Sequence, residues 1–241
     1  GADFKHLTPA GASPLDGAVH NAHPRARPLN EGCLITAGLL IQAGCGVSLE
    51  TAVALDDEDR IRSAANDRPE RFINDGVTRS GLLQPAVQAG NTDMVKLLLS
   101  LGCHPDDEHE LVEYENRPTS GGEPLTLAAG SGCHEIAEIL LLAGADPNKG
   151  PYASGNPVSE AYNNRDDRMK GLLWRHGGVL EASFAALEGE TAAAAVHLHA
   201  NPEQAESLLW SAGCGGDINL AGLCLRHLDF ESEDNRWMTL L

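Results

Sequence analysis

The chain has 241 residues, of which 35 are acidic and 17 are Lys or Arg, and its formal net charge is −18 at pH 7. This charge opposes binding to nucleic acid or to an anionic membrane surface, because both require clustered Lys and Arg. Hydrophobic residues make up 42% of the chain but aromatic residues only 4%, which favours thin layers of Ala, Leu and Val over one core of large side chains.

The first 80 residues repeat a pattern of small residues, glycine and apolar residues, with interruptions. The segment SPLDGAVHNA (13–22) is followed by an insertion, HPRARPLNE (23–31), before the apolar pattern resumes. A second segment, 49–70, fits the pattern with Asp56 at the position where later units have glycine, and its second helix is predicted to be short and polar. Residues 1–80 therefore predict degenerate helix pairs.

The clearest unit lies at residues 121–150. Pro124 suits the first position of a helix, because the N–H that it lacks would have no helical partner there. Gly132 supplies the left-handed residue that ends this helix. Ile136 and Leu140 then lie on one face of a second helix, and a Gly-Ala-Asp-Pro-Asn turn closes the unit.

Two similar units flank the clearest one. Residues 81–107 place Gly90 at the interhelical glycine position, and residues 155–178 place Arg165 there, 33 residues (165 − 132) after Gly132. The stretch 81–180 therefore predicts three consecutive helix pairs of one type.

The C-terminal part, 181–241, keeps the pattern but loses its signature residues. The segments 184–203 and 206–227 repeat the small, glycine and apolar positions with shorter spacing. Residues 234–241 resemble the opening of another unit, and the Gly-Ala-Asp of residues 1–3 matches a closing turn. Both ends are therefore predicted to be cut from a longer chain.

The clearest unit resembles the ankyrin repeat, whose pattern is Thr-Pro-Leu-His-x-Ala with a period of about 33 residues. Pro124 and Ala128 match this pattern, whereas Glu123 and Thr126 replace its Thr and His. The resemblance implies an all-α ankyrin-repeat solenoid of about six to seven helix–turn–helix units with short β-turn or hairpin fingers. It also implies one array over 1–241 in which some units are degenerate.

The cysteines are interpreted as reduced residues that fill the repeat. Cys45 and Cys103 align with Ala145 in the closing turn, and Cys224 aligns with Leu140 in a second helix. Such positions suit a small apolar side chain, which a reduced cysteine resembles. The absence of a recognisable signal peptide, long apolar span or N-x-Ser/Thr sequon predicts a reducing intracellular location, the cytoplasm.

The strongest metal-ligand pattern is the run from His104 to Glu110, which holds two histidines and several carboxylates. It follows a closing turn, where a solvated acidic finger tip is expected, so a metal or small-molecule sensor is the alternative. His197 and His199 are two residues apart and point to different faces of a helix, one exposed and one partly buried. Nucleotide-binding and nucleophile motifs are missing from the sequence, so neither catalysis nor a cofactor is predicted.

The aromatic residues are assigned either to a long connection or to the core. The connection from Pro105 to Gly122 is longer than a usual finger. It either presents Tyr114 as an aromatic anchor over the concave side or is a tolerated insertion. Trp174 and Trp210 are interpreted as packing residues.

The resemblance implies that the chain binds another protein on a concave face formed by finger tips and the exposed ends of first helices. An acidic array favours a partner with a basic surface through steering, although the charge also serves solubility. Nucleic acid, membrane and cofactor are not expected as partners, and a monomer is favoured. The alternative is a regulatory or substrate-docking arm of a larger enzyme or signalling protein whose catalytic domain lies outside this segment. The candidate contact residues are Gln88, Ala89, Gly130, Ser131, Asn163 and Asn164 at first-helix ends, Asp106, Asp107, Glu108, Lys149 and Tyr152 in the fingers, and Tyr114 in the long connection.

The repeat interpretation predicts a gradient of stability along the chain. Because the stability of such an array is a sum of unit and interface terms, residues 81–180 are expected to exchange their amide hydrogens most slowly and residues 1–47 first. Hydrogen-exchange mass spectrometry of the full chain measures this order. Uniform protection from end to end would show that the degenerate units are better formed than their sequences predict.

Overall fold

The computed structural model describes residues 13–19, 31–73, 80–107, 110–114, 117–120, 123–150 and 155–228. These residues form fourteen α-helices, two 3₁₀ helices and one two-stranded sheet. The chain divides into two compact parts, 1–178 and 179–241, which are described separately. The single array over 1–241 stays a prediction.

The α-helices in the described ranges form seven consecutive pairs, which confirms the predicted all-α repeat architecture. The first part contains α1 (Pro14–Val19) with α2 (Glu31–Gln42), α3 (Leu49–Ala54) with α4 (Glu58–Asp67), α5 (Leu83–Gln88) with α6 (Thr92–Ser100), α7 (Pro124–Ser131) with α8 (His134–Leu142), and α9 (Pro157–Asn163) with α10 (Asp167–Arg175). The second part contains α11 (Ala182–Leu187) with α12 (Thr191–Ala200) and α13 (Ala205–Gly215) with α14 (Ile218–Leu225). The 3₁₀ helices are Pro69–Arg71 and Pro202–Gln204.

In the first part, helices of one kind stack on helices of the same kind. The first helices α5, α7 and α9 pack in succession, and so do the second helices α6, α8 and α10. Ala86, Ala128 and Ala161 are fully buried in the first helices, where small side chains allow close approach. Leu98 and Leu140 are fully buried in the second helices. The core is therefore a series of thin Ala and Leu layers, each completed by the neighbouring pair.

A left-handed residue separates the two helices of a pair. Gly90 and Gly132 have φ values of +67° and +70° at this position. Asp56 and Arg165, which the sequence places at the same position, have φ values of +62° and +53°. The alignment is confirmed, and these two residues hold a backbone conformation that favours glycine.

The residue after the left-handed one is the N-cap of the second helix. Its side chain caps an N–H group in α4, α6, α10 and α14, whereas Cys133 of α8 and Glu190 of α12 make no such bond. Asn91 accepts a hydrogen bond from the Met94 N–H, and Asp166 accepts one from the Met169 N–H, each at 3.0 Å. Asp57 caps α4 in the same way. A negative side chain at this helix start satisfies N–H groups that have no partner within the helix.

The first helices keep a polar pair at the positions of the pattern's Thr and His. In α7 the Thr126 hydroxyl donates to Oε2 of Glu123 at 3.5 Å. In α9 the Ser159 N–H donates to Oδ1 of Asn156 at 2.9 Å, and the Asn156 N–H donates to Oγ of Ser159 at 2.8 Å. The pair in α9 forms a reciprocal capping box, whereas in α7 the two side chains bond to each other.

The second helix of the 49–70 segment is polar, as predicted, but it is not short. Helix α4 has 10 residues, and Ile61 is its one buried residue. Good helix formers and the Asp57 cap extend a helix even where few apolar residues hold it to its neighbours. Most of the 23–31 insertion lies outside the described residues.

The interpretation of both tryptophans as packing residues is wrong. Trp174 in α10 is 51% exposed, and its ring meets that of Tyr162 at a centroid distance of 6.3 Å. Trp210 lies in a first helix, α13, and is 65% exposed. Helical periodicity assigns a residue to a face, but burial also needs a neighbour that covers that face.

The histidine interpretation agrees with the structure, and the interpretation of cysteines as fillers is confirmed for three of the six, since Cys33 and Cys133 are half-buried and Cys214 is exposed. Cys45, Cys103 and Cys224 are buried, as expected of apolar fillers, and burial raises the pKa of the Cys103 thiol to about 11. In α12, His197 is half-buried and its Nε2 lies 3.2 Å from the Leu180 carbonyl oxygen, whereas His199 is exposed.

Replacing Arg165 by glycine is expected to raise the free energy of unfolding by about 0.5–1 kcal/mol. The left-handed conformation costs a residue with a Cβ about 1–2 kcal/mol, and glycine removes this cost from the folded state. Glycine also gives the unfolded chain more conformational freedom, which lowers the free energy of unfolding by roughly 0.5–1 kcal/mol. Urea unfolding of Arg165→Gly against Arg165→Ala measures the effect. An equal gain in the alanine variant would show that the Arg side chain, rather than its backbone, is unfavourable.

Candidate partner-binding face

The predicted first-helix contact residues lie at equivalent places, directly before the left-handed turn of each pair. Asn164 donates from Nδ2 to the Gly130 carbonyl oxygen at 3.0 Å, which joins the end of α9 to the end of α7. Helix α5 packs against α7, so the three helix ends form a continuous row. This row is the candidate for the predicted binding surface and is called the partner-binding face below. Ala89, Gly130, Ser131, Asn163 and Asn164 are exposed in this row, and Gln88 is half-buried.

Glu160 belongs to the same face, although the sequence analysis did not select it. It is half-buried on α9, and a Cβ built on Gly130 would lie 3.4 Å from its Oε2. Burial raises the pKa of the Glu160 carboxyl above its ordinary value. The sequence did hold a signal, because Glu160 occupies the variable position x in Asn-Pro-Val-Ser-Glu-Ala, the counterpart of the repeat pattern.

The closing turns of neighbouring pairs are tied together by Asp106 and Lys149. The Asp146 N–H donates to the Asp106 carboxylate at 3.0 Å, and Lys149 Nζ donates to the Asp106 carbonyl oxygen at 3.1 Å. Lys149 Nζ also lies 3.8 Å from Oε1 of Glu123, which is 2% exposed. Burial raises the pKa of Asp106, and the Asp146 N–H and the Lys149 charge oppose that change in part. Both candidate residues therefore already serve the fold.

The surface position predicted for Asp107 is wrong, because this residue is only 1% exposed. Its carboxylate accepts hydrogen bonds from the N–H groups of Ser80 at 3.1 Å and Gly81 at 2.8 Å, and from the Ser80 hydroxyl. Leu82, at the N-cap of α5, makes no side-chain cap bond. Asp107 thus accepts hydrogen bonds from the backbone N–H groups that precede α5, although it lies 26 residues (107 − 81) after Gly81 in the sequence.

The long connection contains a hairpin, as the finger prediction expects. Strand β1 (Glu110–Tyr114) pairs antiparallel with β2 (Arg117–Ser120), and Leu111 stands opposite Thr119. Tyr114 is the last residue of β1. The candidates Glu108 and Tyr152 lie outside the described residues.

A second tie links the starts of α8 and α10, behind the row of helix ends. His134 Nε2 lies 2.8 Å from Oδ2 of Asp166. Burial acts to raise the pKa of Asp166, but the hydrogen bonds from His134 and from the Met169 N–H prevail, and the pKa lies below its ordinary value. This contact therefore holds the starts of α8 and α10 together.

Among the residues that the structure describes, no three His, Cys, Asp or Glu side chains are grouped so that they could hold a metal ion. The predicted run from His104 to Glu110 is incomplete in these ranges, because residues 108 and 109 fall outside them. Of the described helices, none combines the length and apolar character needed to cross a membrane.

Comparison with known proteins identifies similar sequences. The family model for ankyrin repeats in three copies matches residues 52–150. Rabankyrin-5 of Mus musculus is 28% identical over 157 residues, which cover 64% of this chain and 13% of that protein. Ankyrin repeat and SOCS box protein 14 of Mus musculus is 34% identical over 192 residues, which cover 78% of this chain and 26% of that protein. The chain therefore spans about a quarter of these relatives' length or less.

Removing the Asp107 carboxylate is expected to cost far more stability than removing that of its neighbour. Asp107→Ala leaves buried donors without an acceptor, at about 1–3 kcal/mol each, so the free energy of unfolding should fall by about 2–4 kcal/mol. Asp106→Ala frees one exposed N–H and should cost under about 1 kcal/mol. Urea unfolding of both variants checks this order, and similar losses would contradict the buried role of Asp107.

Proposed function

Because this chain is an ankyrin-repeat protein, we propose that it is a non-catalytic protein–protein interaction module that binds its partner on the partner-binding face and the adjoining finger tips. The observation that carries this proposal is the row of exposed residues at the ends of α5, α7 and α9. These helices are otherwise buried along most of their length: five of the six residues of α5 are buried.

The composition of the row supports binding rather than folding. Ala89, Ser131, Asn163 and Asn164 are small or polar, and exposed positions of this kind accept change without loss of the core. The stacked helices below them supply a rigid base, which lowers the entropy that association must overcome.

A partner with a basic surface suits the net charge of −18. Complementary charge acts mainly on the association rate, so the dependence on salt should be stronger for the rate of binding than for the rate of dissociation. A monomeric chain in a reducing, intracellular compartment remains part of this proposal, and the buried thiols of Cys45 and Cys103 are compatible with it.

A regulatory or substrate-docking arm of a larger protein is the second candidate. The observation in its favour is that the chain spans only 13% and 26% of the length of the two relatives. A kinase, phosphate-loop or nucleophile motif in flanking sequence of the same gene would favour this arm, whereas further repeats on both sides would favour a scaffold.

Two added lysines on the face are expected to abolish partner capture. The variant Ser131→Lys with Asn163→Lys places bulk and like charge where a basic partner would approach, and at least a tenfold loss of captured protein is expected in affinity capture with mass spectrometry. The matched control, Ser100→Lys with Ala143→Lys, adds the same charge at exposed ends of second helices. Equal capture by both variants would place binding elsewhere on the chain.

A further inference from the structure

Glu160 holds its carboxylate in an opening between two glycines. A Cβ on Gly130 would lie 3.4 Å from its Oε2, and a Cβ on Gly155 would lie 3.8 Å from its Oε1. Its neighbours in α9, Ser159 and Ala161, are buried, whereas Glu160 is half-buried. The missing side chains at both glycines therefore leave the carboxylate accessible from the partner-binding face.

The charge of Glu160 is not balanced within the described part of the chain. Other partly buried carboxylates have cationic or donor partners there: Glu123 lies 3.8 Å from Lys149, and Asp166 lies 2.8 Å from His134. For Glu160 neither a hydrogen-bond donor nor a cation is present among these residues, and burial alone raises its pKa. A desolvated carboxylate without a partner stands to gain from a cation that comes from outside.

The surroundings favour a guanidinium or ammonium group over a metal ion. A single carboxylate offers too few ligands for a metal, and the ranges described here hold no group of three metal-ligating side chains. Asn164 Nδ2 already donates to the Gly130 carbonyl, so Oδ1 of Asn164 is left to accept. The Glu160 carboxylate and the Asn164 amide both lie near Gly130. Two oxygen acceptors at one place match the several N–H donors of an Arg side chain.

We propose that Glu160 is the specificity-determining residue of the partner-binding face, and that it receives an Arg or Lys side chain of a basic partner segment over Gly130. This inference rests on the proposed function, and it adds the anchor residue and the chemistry of the partner. The net charge of −18 brings such a segment to the chain, and Glu160 fixes where it docks.

Nuclear magnetic resonance of the full chain at low salt tests the anchor directly, with N-acetylarginine methylamide as the probe and the neutral citrulline analogue as its control. The arginine compound should shift the side-chain carboxyl resonance of Glu160 and the backbone amides of Gly130 and Asn164, and the citrulline compound should not. Glu160→Gln should abolish these shifts, whereas Glu138→Gln, at an exposed position of α8, should leave them unchanged. Gly130→Val should also abolish them by filling the opening. Shifts that survive in Glu160→Gln, or that spread evenly over all carboxylates, would overturn the proposal.

Affinity capture separates this inference from the proposed function. Glu160→Gln should retain less than a tenth of the captured partner. It should still fold, because it removes a charge whose burial is unfavourable. Full capture by Glu160→Gln together with loss in the Ser131→Lys, Asn163→Lys variant would leave the binding face intact and reject Glu160 as its anchor. Full capture by both variants would reject the face as well.

Discussion

In each helix pair whose connection the structure describes, the chain reverses within two residues, a left-handed residue and the N-cap of the second helix. Gly132 and Arg165 make the same reversal with very different side chains, since the backbone geometry rather than the residue is required. Asn91 and Asp166 then satisfy the first N–H groups of the second helix. Because this reversal fixes the angle between the two helices, each pair can offer the same apolar surface to the next one.

The proposed binding face follows from that stacking without any further structural element. When identical reversals lie side by side, the residues just before them form a row that contributes little to the core. Two residues of this row also link the pairs through the bond from Asn164 to Gly130, and the contact of His134 with Asp166 adds a link next to the row. Other residues of the row, such as Ser131 and Asn163, are exposed and remain available for recognition.

The sequence predicts well the features that depend on residues within one helix pair, and it predicts poorly those that depend on contacts between pairs. The helix pairs, the left-handed positions of Asp56 and Arg165 and the buried Cys224 all follow from residues within one pair. The burial of Asp107 does not, because its hydrogen-bond donors lie 26 and 27 residues earlier in the chain. Periodicity predicts that Trp210 packs in the core, but it does not show whether a neighbour covers that face, and the side chain is exposed. Glu160 was missed for a related reason, since its opening depends on glycine in the preceding pair.

The hairpin of the long connection is bounded on both sides by residues that the interior holds. Asp107 is anchored to Ser80 and Gly81 on one side, and the buried Glu123 lies beside Lys149 on the other. Between these anchors the chain leaves the stack and returns to it at fixed points. Length and sequence can therefore drift in this segment during evolution while the layers on either side stay in register. Because both anchors belong to the stack, the finger between them can be replaced by another without a change in the core.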